Sequence, residues 1–332
     1  MRGKRVLVTG GAGFIGSNLV DELARGNRVI VIDNFSSGKL GNIRHLSDKG
    51  AIGIVTGDIR DKVLCRTVTR DVDVIYHLAV QCLRVSISDP EINHEVNATG
   101  TLNLLMAARE NSVGRFVYVS SSEVYGTALR VPMDEQHPNE PTTVYGASKL
   151  AGEKYTLAYH RTYGMSTMVV IPFNTYGPRE HFEGAQGEVI PKFVLRALNN
   201  EPPHIFGDGA QTRDFTYVSD TVRGIMMASE CDMMIGQTVN IARGEEVSIR
   251  SIAEKIYRKL GKGHISPVME TARPGDVRRH FAGVEKAEKL FGFRAEVSID
   301  DGLDRYIEWF KTRGYDFGAL MKEDVVFNWE QK

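Results

Sequence analysis

Three glycines at three-residue intervals, Gly10, Gly13 and Gly16 in the run G-G-A-G-F-I-G, constrain this chain more than any other feature. A short β-branched run, Arg5–Thr9 (R-V-L-V-T), precedes them. Residues 17–25 (S-N-L-V-D-E-L-A-R) follow, with Leu19, Val20, Leu23 and Ala24 at helical spacing. A second buried-strand pattern over 28–32 ends at Asp33. Strand, glycine turn, helix and strand make one βαβ unit. Glycine is required because the turn needs positive φ, the backbone must approach a pyrophosphate, and the helix must pack closely on its strand. A diphosphate would then sit on the helix N-terminus, where free N–H groups and the dipole favour an anion. Asp33, seventeen residues past Gly16, is positioned to accept hydrogen bonds from a ribose diol. Its charge repels a 2′-phosphate, and Asn34 and Phe35 follow rather than an arginine, so the expected cofactor is NAD and not NADP.

The rest of the chain repeats the alternation. Strand patterns recur at Ile52–Thr56, 72–78, 115–120 and 166–171, and helical patterns at 91–111 and 145–163. Apolar strands alternating with helices predict a parallel sheet covered on both faces, a doubly wound α/β fold with ligands beyond the carboxyl ends of the strands. Past Pro172, glycine and proline become frequent around short helical patterns at 189–199, 248–260 and 299–310. Residues 214–239 are expected to return to the first unit, because T-V-N-I-A (238–242) has a buried-strand pattern. The cleft between the two units is the expected ligand site.

Composition excludes several function classes. Lys+Arg is 41 against Asp+Glu 42, a net charge of −1, so no global field favours nucleic acid or an acidic membrane. Cys65, Cys82 and Cys231 are far apart and form no C-x-x-C pair, so neither a disulfide framework nor a structural zinc site is expected. Cys82 is read as a packed small hydrophobe. No apolar stretch reaches a membrane-spanning length and no signal peptide is visible, which gives a cytoplasmic expectation.

Chemistry enters at the end of the 115–120 strand. Ser120, Ser121 and Ser122 are followed by Glu123, Val124, Tyr125 and Gly126. Downstream, V-Y-G-A-S-K carries Tyr145 and Lys149, four apart and so on one helical face. A free phenol is a poor base at neutral pH, and a neighbouring ammonium, together with the positive nicotinamide of NAD, is expected to lower the pKa of Tyr145. Tyr145 would then take a proton from a sugar hydroxyl while a strand-end serine donates to the same oxygen.

These segments resemble the extended short-chain dehydrogenase/reductases, in their nucleotide-sugar epimerase/dehydratase branch. The resemblance covers nearly the whole chain. It runs through T-G-G-A-G-F-I-G (9–16), D-N-F-S (33–36), G-D-I-R (57–60), H-L-A (77–79), S-S-S-E-V-Y-G (120–126), Y-G-A-S-K (145–149), F-N-T-Y-G-P-R (173–179), G-D-G-A-Q-T-R-D-F (207–215) and R-P-G-D-V-R-R (273–279). It implies an NAD-binding Rossmann domain over 1–175, with a return segment near 214–242, and a smaller α/β nucleotide-sugar domain over 176–332. It implies NAD contacts from Gly10, Gly13, Phe14, Ile15, Gly16, Asp33, Asn34, Asp58, Ile59, Leu78, Ala79, Tyr145 and Lys149. It implies a catalytic set of Ser121, Tyr145 and Lys149, with Ser121, Ser122, Asn174, Val189, Lys192, Arg213, Arg273 and Asp276 on the nucleotide-diphosphate sugar. Arg213 and Arg273 are planar donors suited to a pyrophosphate, and Arg84 is expected to reach a sugar substituent. A homodimer through a four-helix bundle, built on the helices near 91–111 and 145–163, is part of the same implication.

Oxidation at the sugar C4 would give a ketone that acidifies C5–H, after which the chemistry forks. Glu123, a carboxylate beside Ser121, is what C5 deprotonation needs, and it tilts the expectation toward 4,6- or 5,6-dehydration. The 181–193 and 273–279 segments look more like a UDP-sugar 4-epimerase, which is the alternative. UDP-glucuronate decarboxylation, a non-catalytic NAD sensor and an NADPH reductase rank below these; the intact Tyr145–Lys149 pair opposes the sensor and Asp33 opposes the reductase.

Overall fold

The computed structural model describes residues 1–184, 187–272 and 277–327. Its centre is a parallel sheet of seven strands: β1 (Arg5–Thr9), β2 (Arg28–Asp33), β3 (Ile52–Thr56), β4 (Val74–His77), β5 (Arg115–Val119), β6 (Thr167–Pro172) and β7 (Thr238–Ile241). Their spatial order is β7-β6-β5-β4-β1-β2-β3. The order reverses at β1, between β2 and β4, and that reversal opens the crevice in which such sheets bind ligands.

Both faces of the sheet are buried, as the apolar strands require. Along β1, Val6 and Val8 enter one core with Leu19 and Val20 of α1 (Phe14–Leu23). Leu7, pointing the other way, joins Leu104 and Leu105 of α2 (Thr101–Glu110). The period of two along the strand produces this division. The long helix α3 (Val144–Tyr163) is capped by Thr143 Oγ1, which accepts from Gly146 N at 3.0 Å. The third glycine of the motif lies inside α1, which begins earlier than the helical pattern indicated; a Cβ on Gly16 would collide with the Gly10 carbonyl.

The return segment is present. Helix α5 (Val218–Glu230) packs on α1, and β7 pairs with β6 in register Val239↔Val170. A separate core joins α4 (Val189–Leu198) to the helices Ile249–Lys259 and Ile299–Lys311, around Phe193, Ile256, Leu303, Tyr306 and Phe310.

The continuous helix expected over 91–111 is instead three pieces. A helix at Pro90–His94 passes into a π-helical stretch at Glu95–Gly100 before α2 begins. The wider turn carries buried Asn97, and buried Asn93 stands just before it; both side chains bond outside the helix (below). Among the described residues, no helix is long and apolar enough to cross a membrane.

Candidate active site

A cleft of about 390 Å³ opens at the carboxyl ends of β1, β2, β4, β5 and β6. On one side it is walled by backbone. Gly10 has φ of 69°, and a Cβ there would lie 2.7 Å from Ala79 N, so only glycine fits between the ends of β1 and β4. Gly13 N donates to Gly10 O at 3.1 Å, closing the turn. Helix α1 has no side-chain cap at Gly13, so its first N–H groups face the cleft as anion donors. The turn therefore fits a dinucleotide diphosphate by the chemistry of its donors.

Asp33 closes the next strand. Its carboxylate accepts from Ala12 N (2.9 Å) and Phe35 N (2.8 Å), while burial pushes its pKa up against those bonds. Asp58 is bonded by Asn34 Nδ2 at 2.9 Å and by Arg60. Burial works to raise its pKa, but those donors outweigh it and hold the carboxyl below its usual value. Thr9 Oγ1 meets His77 Nδ1 at 2.7 Å and accepts from Ala79 N at 3.1 Å, locking the ends of β1 and β4 together. Phe14, Ile15, Gly16, Ile59, Leu78 and Ala79 complete this wall.

The reactive side chains face it. Ser121 leaves β5 in extended backbone and its Oγ accepts from Glu123 N at 3.3 Å. Ser121 is close enough to Tyr145 to favour its ionised form, and Glu123 is close enough for its charge to act on the phenol. Ser122, Glu123 and Tyr145 line the cleft, and Lys149 lies beneath them, 3% exposed. Lys149 Nζ donates to Val119 O at 2.7 Å and sits 4.4 Å from the centre of the Tyr118 ring.

The expectation that the protein itself lowers the Tyr145 pKa does not hold. Burial pushes the phenol up, Ser121 only partly opposes this, and the Glu123 charge adds to the rise. Burial also pulls Lys149 down to about 7. The protein's own groups leave Tyr145 protonated at neutral pH, so ionising it requires a further positive charge in the cleft.

On the sugar side the expectations divide. Asn174 and Val189 line the cleft. Arg84, Lys192 and Arg213 do not, because each is engaged elsewhere. Arg84 pairs with Glu188 at 3.0 Å, and Lys192 with Asp324 at 3.3 Å. Arg213 donates to the carbonyls of Thr212 (2.8 Å) and Val277 (2.7 Å). Arg273 and Asp276 lie outside the described residues.

Several residues in and around the cleft escaped sequence reasoning. Asn93 and Asn97, in and beside the π-helical stretch, are buried and donate to Gln81 O at 2.9 and 3.0 Å. They meet Ser148 at 2.9 and 3.0 Å and so tie the cleft wall at 79–82 to α3. Two asparagines four apart, and so on one helical face, were the available signal. Glu180, His181 and Glu188 also line the cleft, and Cys82 does too. Glu180 is 5% exposed and accepts from Gly177 N at 3.1 Å; burial, with Glu188 nearby, holds its carboxyl well above the usual range.

Comparison with known proteins places this geometry. Residues 7–306 match the family model described as GDP-mannose 4,6 dehydratase. The chain belongs to that family, within the extended short-chain dehydrogenase/reductases. A putative UDP-glucose 4-epimerase of Methanocaldococcus jannaschii is 38% identical over 312 residues, 92% of this chain and 98% of the relative. UDP-glucuronic acid decarboxylase 2 of Arabidopsis thaliana is 34% identical over 94% of this chain and 69% of its own length. Among solved structures, a dTDP-glucose 4,6-dehydratase from Streptomyces venezuelae with NAD bound superposes with a TM-score of 0.88 at 33% identity, covering 96% of this chain and 99% of that one. The family thus contains epimerases, decarboxylases and dehydratases built on one cleft. Among the described residues no cluster of His, Cys, Asp and Glu could hold a metal ion.

Proposed function

We propose that this protein is an NAD-dependent nucleotide-sugar dehydratase acting on a nucleotide-diphosphate hexose, with a UDP-hexose as the first substrate to test. Gly10, Gly13, Phe14, Ile15 and Gly16 hold the dinucleotide diphosphate; Asp33 and Asn34 hold the adenosine ribose; Asp58 and Ile59 flank the adenine. Leu78, Ala79 and Lys149 line the path to the reacting end. Bound there, NAD would supply a hydride acceptor at C4, a nearby positive charge, and a hydride donor toward C6, or toward C4 where a 5,6-alkene is left.

The protein's residues then do the proton chemistry. Ser121 donates to the sugar C4 oxygen while Tyr145 takes its proton, with the Lys149 ammonium stabilising the phenolate. The resulting 4-keto sugar has an acidified C5–H. Glu123 removes that proton and gives it to the departing C6 hydroxyl, which leaves as water; in 4,6-dehydration C5 then takes up a proton equivalent to the one Tyr145 removed from O4, and in 5,6-dehydration Tyr145 returns that proton to O4. The observation that carries elimination is Glu123, a carboxylate on the cleft wall within electrostatic reach of Tyr145. Asn174 and Val189 are proposed to border the sugar nucleotide. Arg84, Lys192 and Arg213 are proposed to reach it only after leaving their present partners.

A second reading, 4-epimerisation, is favoured by the similarity to the M. jannaschii chain named as an epimerase. It needs Tyr145 but no carboxylate at C5. Incubation with UDP-glucose, UDP-N-acetylglucosamine and UDP-glucuronate, followed by mass spectrometry, separates the outcomes. Loss of one water is expected. Unchanged mass with an altered sugar replaces dehydration by epimerisation, and loss of carbon dioxide from the glucuronate replaces it by decarboxylation. The same reading carries a homodimer through α2 and α3, where Met106, Val144 and Tyr163 are exposed; sedimentation velocity checks it.

A further inference from the structure

The reactive face of α3 does not end at Lys149. Tyr145, Lys149 and Glu153 are spaced by four, so they stack along one side of the helix. Glu153 is 2% exposed, and the proton chemistry proposed above does not use it. One of its oxygens, Oε1, has no hydrogen-bond partner, and neither does the buried hydroxyl of Ser120 at the end of β5. Ser120 favours the ionised form of the carboxyl. Burying a carboxyl with an open lone pair is costly, and the sequence bears that cost directly beneath its catalytic pair.

The surroundings explain what the carboxyl does. Lys154, on the same helix, is exposed and bonds Asn139. From β5, Tyr118 is kept neutral by burial, and so is Tyr125 just beyond the strand. From β4, His77 faces Lys149, and burial holds its pKa down to about 3, so it carries no charge at neutral pH. Glu153 is therefore the neighbouring buried group able to offset the Lys149 charge. Burial drives the two toward each other, Lys149 down and Glu153 up, each to about 7, and each charge favours the other. With Glu153 neutral, a buried lysine loses its proton more readily.

We propose that Glu153 is a positioning residue for the catalytic pair: its buried carboxylate keeps the Lys149 ammonium charged beneath Tyr145. The inference rests on the assignment of Tyr145 as proton acceptor and Lys149 as its cation. It adds that the cation is maintained from behind by a carboxylate that never touches substrate.

The test reads Lys149 directly. The full-length protein is labelled on lysine side chains, the Lys149 resonance is assigned with Lys149→Met, and its pH titration is followed by NMR. Glu153→Gln is expected to lower the Lys149 pKa by about one unit or more, the scale of one close buried charge. Glu153→Met, of similar volume and the same charge change, is expected to do likewise, and it supplies the measurement should Glu153→Gln fail to fold. The alkaline limb of the turnover profile is expected to move to lower pH by the same amount. An unchanged Lys149 titration in a folded variant overturns the proposal, even if turnover falls, because a merely structural carboxyl would leave the lysine alone. Failure of the underlying assignment looks different: Tyr145→Phe would retain turnover while the Lys149 shift still appeared.

Discussion

The two walls of the cleft are built in opposite ways. The wall formed by β1, β2 and β4 is set by backbone and short buried side chains: the Gly10 turn, the Thr9–His77 contact and the Asp33 carboxylate bonded to two amides. These groups already stand where a dinucleotide needs them. The wall reached from α4 and its neighbours depends on long cationic side chains, and those are engaged with other protein groups: Arg84 with Glu188, Lys192 and Arg196 with Asp324, Arg213 with two carbonyls. A preorganised wall loses little freedom when its ligand arrives. A wall of exchanged ion pairs must break one set of contacts to make another. The difference teaches that, on the proposed reading, one wall is built to retain a cofactor and the other to let a substrate arrive and leave.

The largest test of that contrast falls on the chemistry between the walls. Glu123→Gln is expected to lower dehydrated product by about 10²-fold, the usual scale for a lost acid–base group, with NAD content unchanged; product mass against time measures it. Full turnover would remove Glu123 from the reaction. On the preorganised wall, Gly10→Ala puts a Cβ 2.7 Å from Ala79 N at a φ of 69°. Strain of about 1–2 kcal/mol from the backbone alone is expected to weaken NAD retention by roughly tenfold, read by equilibrium dialysis, and to lower the melting temperature. Retention equal to the parent's would mean that the turn is not preformed. On the exchangeable wall, Asp324→Asn releases Lys192 and Arg196. It is expected to tighten UDP binding by only a few-fold, measured by calorimetry, because Asp324 is buried against the two cations and its loss also leaves Arg196 as a buried charge without its partner. Weaker binding would show that Asp324 orients the cations rather than competing for them.

The same contrast separates what the sequence made legible from what it did not. The glycine turn, Asp33 and the Tyr145–Lys149 spacing were readable because backbone geometry and helical period act locally. β7 was readable because T-V-N-I-A places Val239 and Ile241 on one buried face. Glu153 carried the same four-residue spacing and was passed over, since a lone Glu on a helix is ordinarily solvated. The π-helical stretch escaped because its cause is tertiary: Asn93 and Asn97 reach Gln81 and Ser148, distant in sequence. The present partners of the cations were illegible for the same reason. Nothing local to Lys192 announces that Asp324, far along the chain, lies against it. The sign of the Tyr145 shift also needed burial, which spacing does not give.

The account depends most on oxidation of the sugar within the cleft, with Tyr145 taking the proton. The direct measurement is rapid mixing of NAD-loaded protein with a UDP-hexose that it converts, followed by NADH absorbance in the parent and in Tyr145→Phe. A transient rise in the parent, with NAD still bound but no rise on the same timescale in Tyr145→Phe, is the predicted result. Equal transients in both proteins, or conversion in the parent with no NADH at any time, would contradict it.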